Sequence, residues 1–300
     1  MSSQPKPLRT ILVATDFSHD AAAALGWAGK VARMHSAKIV LVHAAPVIAP
    51  AGLEFVPLDG RVYAETRVQA RSELELLATG LRRTGLEVEC VLAEDPIASS
   101  LLWEAERHGA DLIVAGTRGL TGWKRVVLGS VAARLLRKAA CPVVTVHAED
   151  AAHEGPVRTI LVPTDFSEDS VRAADAASRI VGDGGSDRRI VLLHVYRFPL
   201  TLSPGAEPRL ARSIEDVIGS ARQGMAALAE RFGGAGVRVD TCVREGAPWE
   251  VIVEQAKREE ADLIAMGTHG RSGLERVLLG STAERVLSAA PCPILSVRVP

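Results

Sequence analysis

Residues 110–147 read ADLIVAGTRGLTGWKRVVLGSVAARLLRKAACPVVTVH, and residues 261–298 read ADLIAMGTHGRSGLERVLLGSTAERVLSAAPCPILSVR. The two stretches align without a gap at a constant offset of 151, with 20 of 38 positions identical. That agreement marks an internal repeat rather than shared composition. Each copy runs from an apolar segment through a glycine-punctuated loop to Gly-Ser, a helical pattern, and a Cys-Pro that opens a last apolar segment. The glycines are Gly116, Gly119 and Gly129 before Ser130, and Gly267, Gly270 and Gly280 before Ser281. Both copies therefore keep G-x-x-G, nine residues, then G-S. A strand that ends at glycine and leads through a loop into a helix can hold phosphate. Glycine admits close backbone approach. The helix start aims free N–H groups and the positive end of the macrodipole at one point. The plain alternative is that these glycines only make tight turns. Two copies that keep every glycine favour binding.

Working outward, TILVATDFS at 10–18 recurs as TILVPTDFS at 159–167, with Ala14 changed to Pro163. Short β-branched and apolar runs without alternation read as strands covered on both faces. Ser18 and Ser167 are N-caps for the helices that follow. Glu168 and Asp169 place negative charge in the first turn of the second of these, where the dipole favours it.

Helices are expected over 19–35 and 168–181, and second strands over 38–44 and 189–196. Proline-containing stretches follow at 46–60 and 198–208, long enough to serve as lids. Longer helices come next at 61–83 and 210–232, then strands at 86–93 and 237–244, then helices at 97–108 and 249–260. With the repeated stretch, each half reads β-α-β-α-β-α-β-α-β. The expectation is an α/β protein of two tandem doubly wound parallel sheets with right-handed crossovers. The domains span 1–148 and 157–300, joined by a small, acidic, proline-ended linker at 149–156. In such sheets ligands bind beyond the carboxyl ends of the strands, where strand order reverses. That rule brings Asp16 and the first glycine loop onto one crevice, and Asp165 and the second loop onto another. An aspartate there can accept hydrogen bonds from a base or ribose while the loop holds phosphates.

The formal net charge is −1, with 47% hydrophobic and 24% charged residues. Nothing in that balance suggests a nucleic-acid surface or a polybasic membrane patch. Residues 1–9 lack an apolar signal-peptide core. No uncharged apolar run approaches the roughly 18 residues of a membrane span. The expected setting is the cytoplasm, with Cys90, Cys141, Cys242 and Cys292 as small packed side chains in a reducing compartment. His43 and His194, at the ends of covered strands, read as packed, hydrogen-bonded histidines. The tryptophans read as packing residues. Walker, dinucleotide-fingerprint, nucleophile-elbow and zincin motifs are absent from the sequence, and no catalytic or metal-ligating set is assigned.

The Thr-Asp-Phe-Ser after strand one, the Leu-Val-His or Leu-Leu-His of strand two, and the doubled G-x-x-G-(nine)-G-S resemble the universal stress proteins, in tandem, over nearly the whole chain. The resemblance implies an adenine nucleotide alpha hydrolase-like fold with five-stranded sheets of order 3-2-1-4-5. It also implies ATP as ligand, with which Mg2+ could travel, domains paired internally through their last strands, and a homodimer. Carried onto this sequence, Asp16 and Asp165 meet the adenosine, and the backbone at Ala44 and Val195 touches the base. Gly116 and Gly267 lie near the ribose. Gly119, Gly129 and Ser130, with Gly270, Gly280 and Ser281, hold the phosphates, and Val131 and Thr282 add backbone N–H groups. The second copy keeps the family's Gly-x-Pro as Gly246-Ala247-Pro248, whereas the first has Asp95-Pro96. The second site is therefore expected to be the better one. The expected function is ATP-dependent regulation in a stress response, with at most slow hydrolysis. A slow ATPase or nucleotidyl-transferring enzyme, and an interaction module without nucleotide, are the alternatives.

Overall fold

The computed structural model describes residues 6–45, 60–94, 96–117, 128–149, 155–182, 187–197, 207–233, 237–268 and 279–298. The chain divides into two compact units. One is Leu8–Pro156; the other is Val157–Pro300.

In the first unit the order is β1 (Thr10–Ala14), α1 (His19–His35), β2 (Lys38–Ala45), α2 (Gly60–Arg82), β3 (Val88–Glu94), α3 (Ile97–Arg107), β4 (Leu112–Gly116), α4 (Ser130–Lys138) and β5 (Val143–Val146). The strands pair in parallel in the order β3-β2-β1-β4-β5. The second unit repeats this with β6 (Thr159–Pro163), α5 (Glu168–Val181), β7 (Arg189–Tyr196), α6 (Glu207–Phe232), β8 (Arg238–Glu245), α7 (Pro248–Arg258), β9 (Leu263–Gly267), α8 (Ser281–Ala289) and β10 (Ile294–Val297). Its parallel order is β8-β7-β6-β9-β10. Each sheet is thus 3-2-1-4-5, and strand order reverses between the first and fourth strands.

The central strands carry no polar face because both faces are covered. Ile11, Leu12 and Val13 of β1, and Ile160, Leu161 and Val162 of β6, are fully buried. The helix over β4 comes close because its inner face is small: Ala21, Ala24, Ala28 and Ala32 of α1 are buried. Gly116 is where the approach is tightest. A Cβ there would lie 2.8 Å from the Asp20 carbonyl carbon and 2.9 Å from the Ala21 nitrogen. Gly267 meets Asp169 in the same way, with a built Cβ 2.6 Å from the Asp169 Cβ. These two glycines permit close helix–strand packing, a role added to the one expected of them from the sequence.

The expected lids fall almost entirely at 46–59 and 198–206, outside the described residues, as does Trp123. Of the tryptophans expected to pack, Trp27 is buried, but Trp103 is 57% exposed, with Arg107 over its ring. No disulfide joins the four cysteines; Cys292 is fully buried and the other three are half-buried. Burial pushes the Cys90 and Cys242 thiols above their ordinary pKa. No described helix is long and apolar enough to cross a membrane.

Candidate functional site

The carboxyl end of β1 is built by four residues, Thr15 to Ser18. The Thr15 N–H donates to Val42 O (2.9 Å), which extends the sheet by one bond. The Thr15 hydroxyl accepts from Phe17 N–H (3.1 Å), and Asp16 Oδ1 accepts from Ser18 N–H (3.0 Å). Between them Phe17 takes φ 65°, a left-handed conformation unfavourable for a bulky side chain. The two local hydrogen bonds and the stacking of its ring on His43, centroids 4.5 Å apart, hold it there. Ser18 then caps α1 by accepting from Ala21 N–H (3.2 Å).

The second unit reproduces each feature. Phe166 has φ 63° and lies 4.8 Å from His194; Asp165 Oδ1 accepts from Ser167 N–H at 3.0 Å, and Ser167 caps α5. His43 and His194 each place Nδ1 2.8 Å from a backbone carbonyl, of Thr15 and Thr164 respectively. Both are the packed, hydrogen-bonded histidines expected. The net effect of the turn is to leave the aspartate at the rim of the sheet, with one oxygen occupied by the turn itself.

The loop between the fourth strand and the fourth helix is tied at its base. Gly129 N–H donates to Thr117 O (2.8 Å), and Gly280 N–H donates to Thr268 O (3.0 Å). Gly129 and Gly280 are the N-caps of α4 and α8, with φ −59° and −60°. They are glycines without needing a left-handed backbone. Having no side chain, they offer no side-chain acceptor, and neither helix has a side-chain cap bond. The first amides of a helix have no partner inside it. Here the Gly amide is used to close the loop, while Ser130 and Val131, or Ser281 and Thr282, begin the helix. What this arrangement offers chemically is a cluster of N–H donors at the positive end of a helix dipole, suited to an anion.

In each unit these parts surround one cavity beyond the carboxyl ends of the strands. The first, about 220 Å3, is lined by Asp16, Ala44, Gly116, Gly129, Ser130 and Val131, together with Thr15, Thr117, Ile97 and Leu101. The second, about 260 Å3, is lined by Asp165, Val195, Gly267, Gly280, Ser281 and Thr282, together with Thr164, Thr268, Pro248 and Ile252. The topology thus brings together twelve of the residues singled out from the sequence. Gly119 and Gly270, along with Arg118 and His269, lie outside the described residues. So does Asp95.

Four threonines on these walls escaped the sequence reading. Thr117 and Thr268 follow the first glycine in both copies, and Thr15 and Thr164 open both Thr-Asp-Phe-Ser turns, so their recurrence was the available signal. The charged groups whose pKa departs from its ordinary value lie elsewhere. At the amino ends of the strands, Lys38 and Glu89 form an ion pair (2.7 Å) whose hydrogen bond raises the lysine and lowers the glutamate. That is a surface pair, worth about 1 kcal/mol or less. Among the described residues no cluster of histidine, cysteine and carboxylate side chains is arranged for a metal ion.

Comparison with known proteins gives a consistent answer. The model of the universal stress protein family matches the chain twice, over residues 7–147 and 156–298. A universal stress protein of Mycolicibacterium smegmatis is 34% identical over 304 residues, covering 96% of each chain. One of Mycobacterium tuberculosis is 30% identical over 299 residues, again covering 96% of each. Among solved structures, a universal stress protein from Archaeoglobus fulgidus superposes with a TM-score of 0.69 at 21% identity, covering 96% of this chain and 98% of that one.

Proposed function

The chain belongs to the universal stress protein family, and we propose that each of its two units binds ATP in the crevice at the carboxyl end of its sheet. The observation that carries this reading is the glycine-capped start of α4 and of α8, opening onto the same cavity as Asp16 and Asp165. Phosphates would lie on the amides that begin those helices. Asp16 or Asp165 would accept from the ribose, and the base would sit by Ala44 or Val195, against Ile97 and Leu101 or Pro248 and Ile252. Gly119 and Gly270 belong to the same phosphate set, and Mg2+ could accompany the triphosphate.

The role we assign is regulatory. Occupancy changes the protein's contacts under stress, and hydrolysis is at most slow, because Asp16 and Asp165 are assigned to the ribose and no other described lining residue is a general base. Domain limits at 1–148 and 157–300, a cytoplasmic setting and assembly as a homodimer are parts of the same proposal.

The test is calorimetric titration of nucleotide-free protein with ATP, alongside identification of the small molecule that co-purifies. Heat with two ATP per chain is expected. Absence of heat at millimolar ATP would sink the reading and favour an interaction module without nucleotide. Multiple-turnover release of phosphate or pyrophosphate, abolished by one loop substitution, would favour the enzyme instead.

A further inference from the structure

Behind the first crevice lies a carboxylate that the nucleotide reading does not use. Asp20, in the first turn of α1, is only 6% exposed. A carboxylate that deeply placed requires partners, and its two oxygens reach different parts of the chain. Oδ2 accepts from the Thr117 hydroxyl (2.8 Å), and Oδ1 accepts from Ala148 N–H (3.0 Å). The Thr117 hydroxyl is also 2.5 Å from His147 Nδ1. A hydroxyl has one proton to give. If that proton went to the ring nitrogen, Asp20 Oδ2 would lose the bond from Thr117. The set is satisfied when Nδ1 carries hydrogen and donates to Thr117, which donates to Asp20.

Thr117 is at the same time the base of the glycine loop. Its N–H donates to Val146 O (3.1 Å), and its carbonyl accepts from Gly129 N–H, the residue that caps α4. A single buried carboxylate therefore grips both the anchor of the loop and the first residue past the His147 position, where the chain heads for the linker. In the second unit Asp169 and Thr268 hold the equivalent positions, but Arg298 replaces His147.

We infer that Asp20 couples occupancy of the first crevice to the segment leaving the first unit. Ligand phosphate on α4 fixes Gly129, Gly129 fixes Thr117, and Thr117 fixes the carboxylate that holds Ala148. Asp20 is a positioning residue: it touches no ligand, and it acts through Thr117. The inference rests on the crevice being a nucleotide site, and it names the regulation of that site.

The experiment measures amide hydrogen exchange at Ala148 in the full chain, with and without MgATP. With ATP at about a hundred times its Kd, exchange at Ala148 is expected to slow about tenfold or more. Asp20→Asn and Thr117→Val should exchange faster without ligand and lose the ATP effect, whereas Thr117→Ser should restore it. The Thr117 pair decides the matter if Asp20→Asn does not fold. Calorimetry on a Gly280→Leu background reports ATP binding at the first crevice separately. If ATP binds there and Ala148 exchange does not respond, or if Thr117→Val responds like the parent, the coupling is overturned while the nucleotide reading stands. If ATP gives no heat at either crevice, the nucleotide reading fails and the coupling falls with it.

Discussion

The two crevices share a backbone and differ in what covers it. Ala21, Ala115 and Val131 of the first correspond to Ser170, Met266 and Thr282 of the second. Ser170 brings no new ligand group, because its hydroxyl lies 3.0 Å from Thr164 Oγ1 and donates to Ser167 O at 2.9 Å. Thr282 is different, because it stands in the first turn of α8 and adds a hydroxyl beside the helix amides. The turn before the third helix also differs. Gly246 has φ 146°, and a Cβ there would lie 2.7 Å from Val251 Cγ2, so the second unit depends on glycine where the first has Asp95. Duplication preserves the glycine-capped backbone of the crevice and lets the wall chemistry drift. The same fold can then carry two sites of unequal strength.

The largest expected effect separates the sites outright. Gly280→Leu keeps an ordinary φ but crowds Thr268 O, which already lies 3.2 Å from a built Cβ. It should cost the second crevice about a hundredfold or more in ATP affinity, roughly 2.7 kcal/mol. Gly129→Leu should do the same to the first. Calorimetry should show stoichiometry falling from two to one in each; two sites surviving in either variant would misplace the phosphate.

Next come Gly116→Ala and Gly267→Ala. Each drives a methyl into the backbone of the neighbouring helix start and should destabilise its own unit by about 1–3 kcal/mol. Urea unfolding followed by probes in each unit would check this, and a neutral result would mean the helix can shift. The expectation is similar in both halves, since this feature has not drifted.

A smaller effect tests the drift itself. Thr282→Val should weaken the second site by about two- to tenfold, the worth of one hydrogen bond. Val131→Thr should strengthen the first by a similar factor. Equal affinities in the parent protein would remove the reason for the difference.

The smallest effect is at the far end of the strands, where the pair of Lys38 and Glu89 corresponds to Arg189 with Asp240 and Glu259. Lys38→Met should cost the first unit less than about 1 kcal/mol at neutral pH. Because Glu89 is held below its ordinary pKa, its contribution is present above the ordinary carboxylate range and lost as pH falls through the lowered value. The gap between variant and parent in thermal midpoint should therefore close in acid.

Much of the fold was legible because its signals are local. Helix α1 begins after Ser18 and runs to His35, as its cap and apolar spacing indicate. Strands β1 and β6 announce themselves as uninterrupted buried runs, and the alternation of strand and helix leaves few topologies open. The crevice followed from topology, which brings Asp16 and Gly129 together across more than a hundred residues. What stayed hidden was whatever depends on three segments meeting. Nothing local in the sequence singles out Asp20; its role shows only when Thr117 and Ala148 close over it. Gly116 reads only as part of the ligand loop; that it also lets α1 close on β4 becomes visible once the helix is laid against the strand. Trp103 reads as packing because an aromatic on an amphipathic helix usually packs; which face it occupies is settled only by the neighbours.

The loop that leaves Thr117 returns to it, and so does its counterpart at Thr268. A detour moored at one point can be rewritten along its length without disturbing the strands on either side. On the proposed nucleotide reading, exchanging the ten residues at 118–127 for those at 269–278 would carry one unit's ligand preference into the other with the sheet left in register.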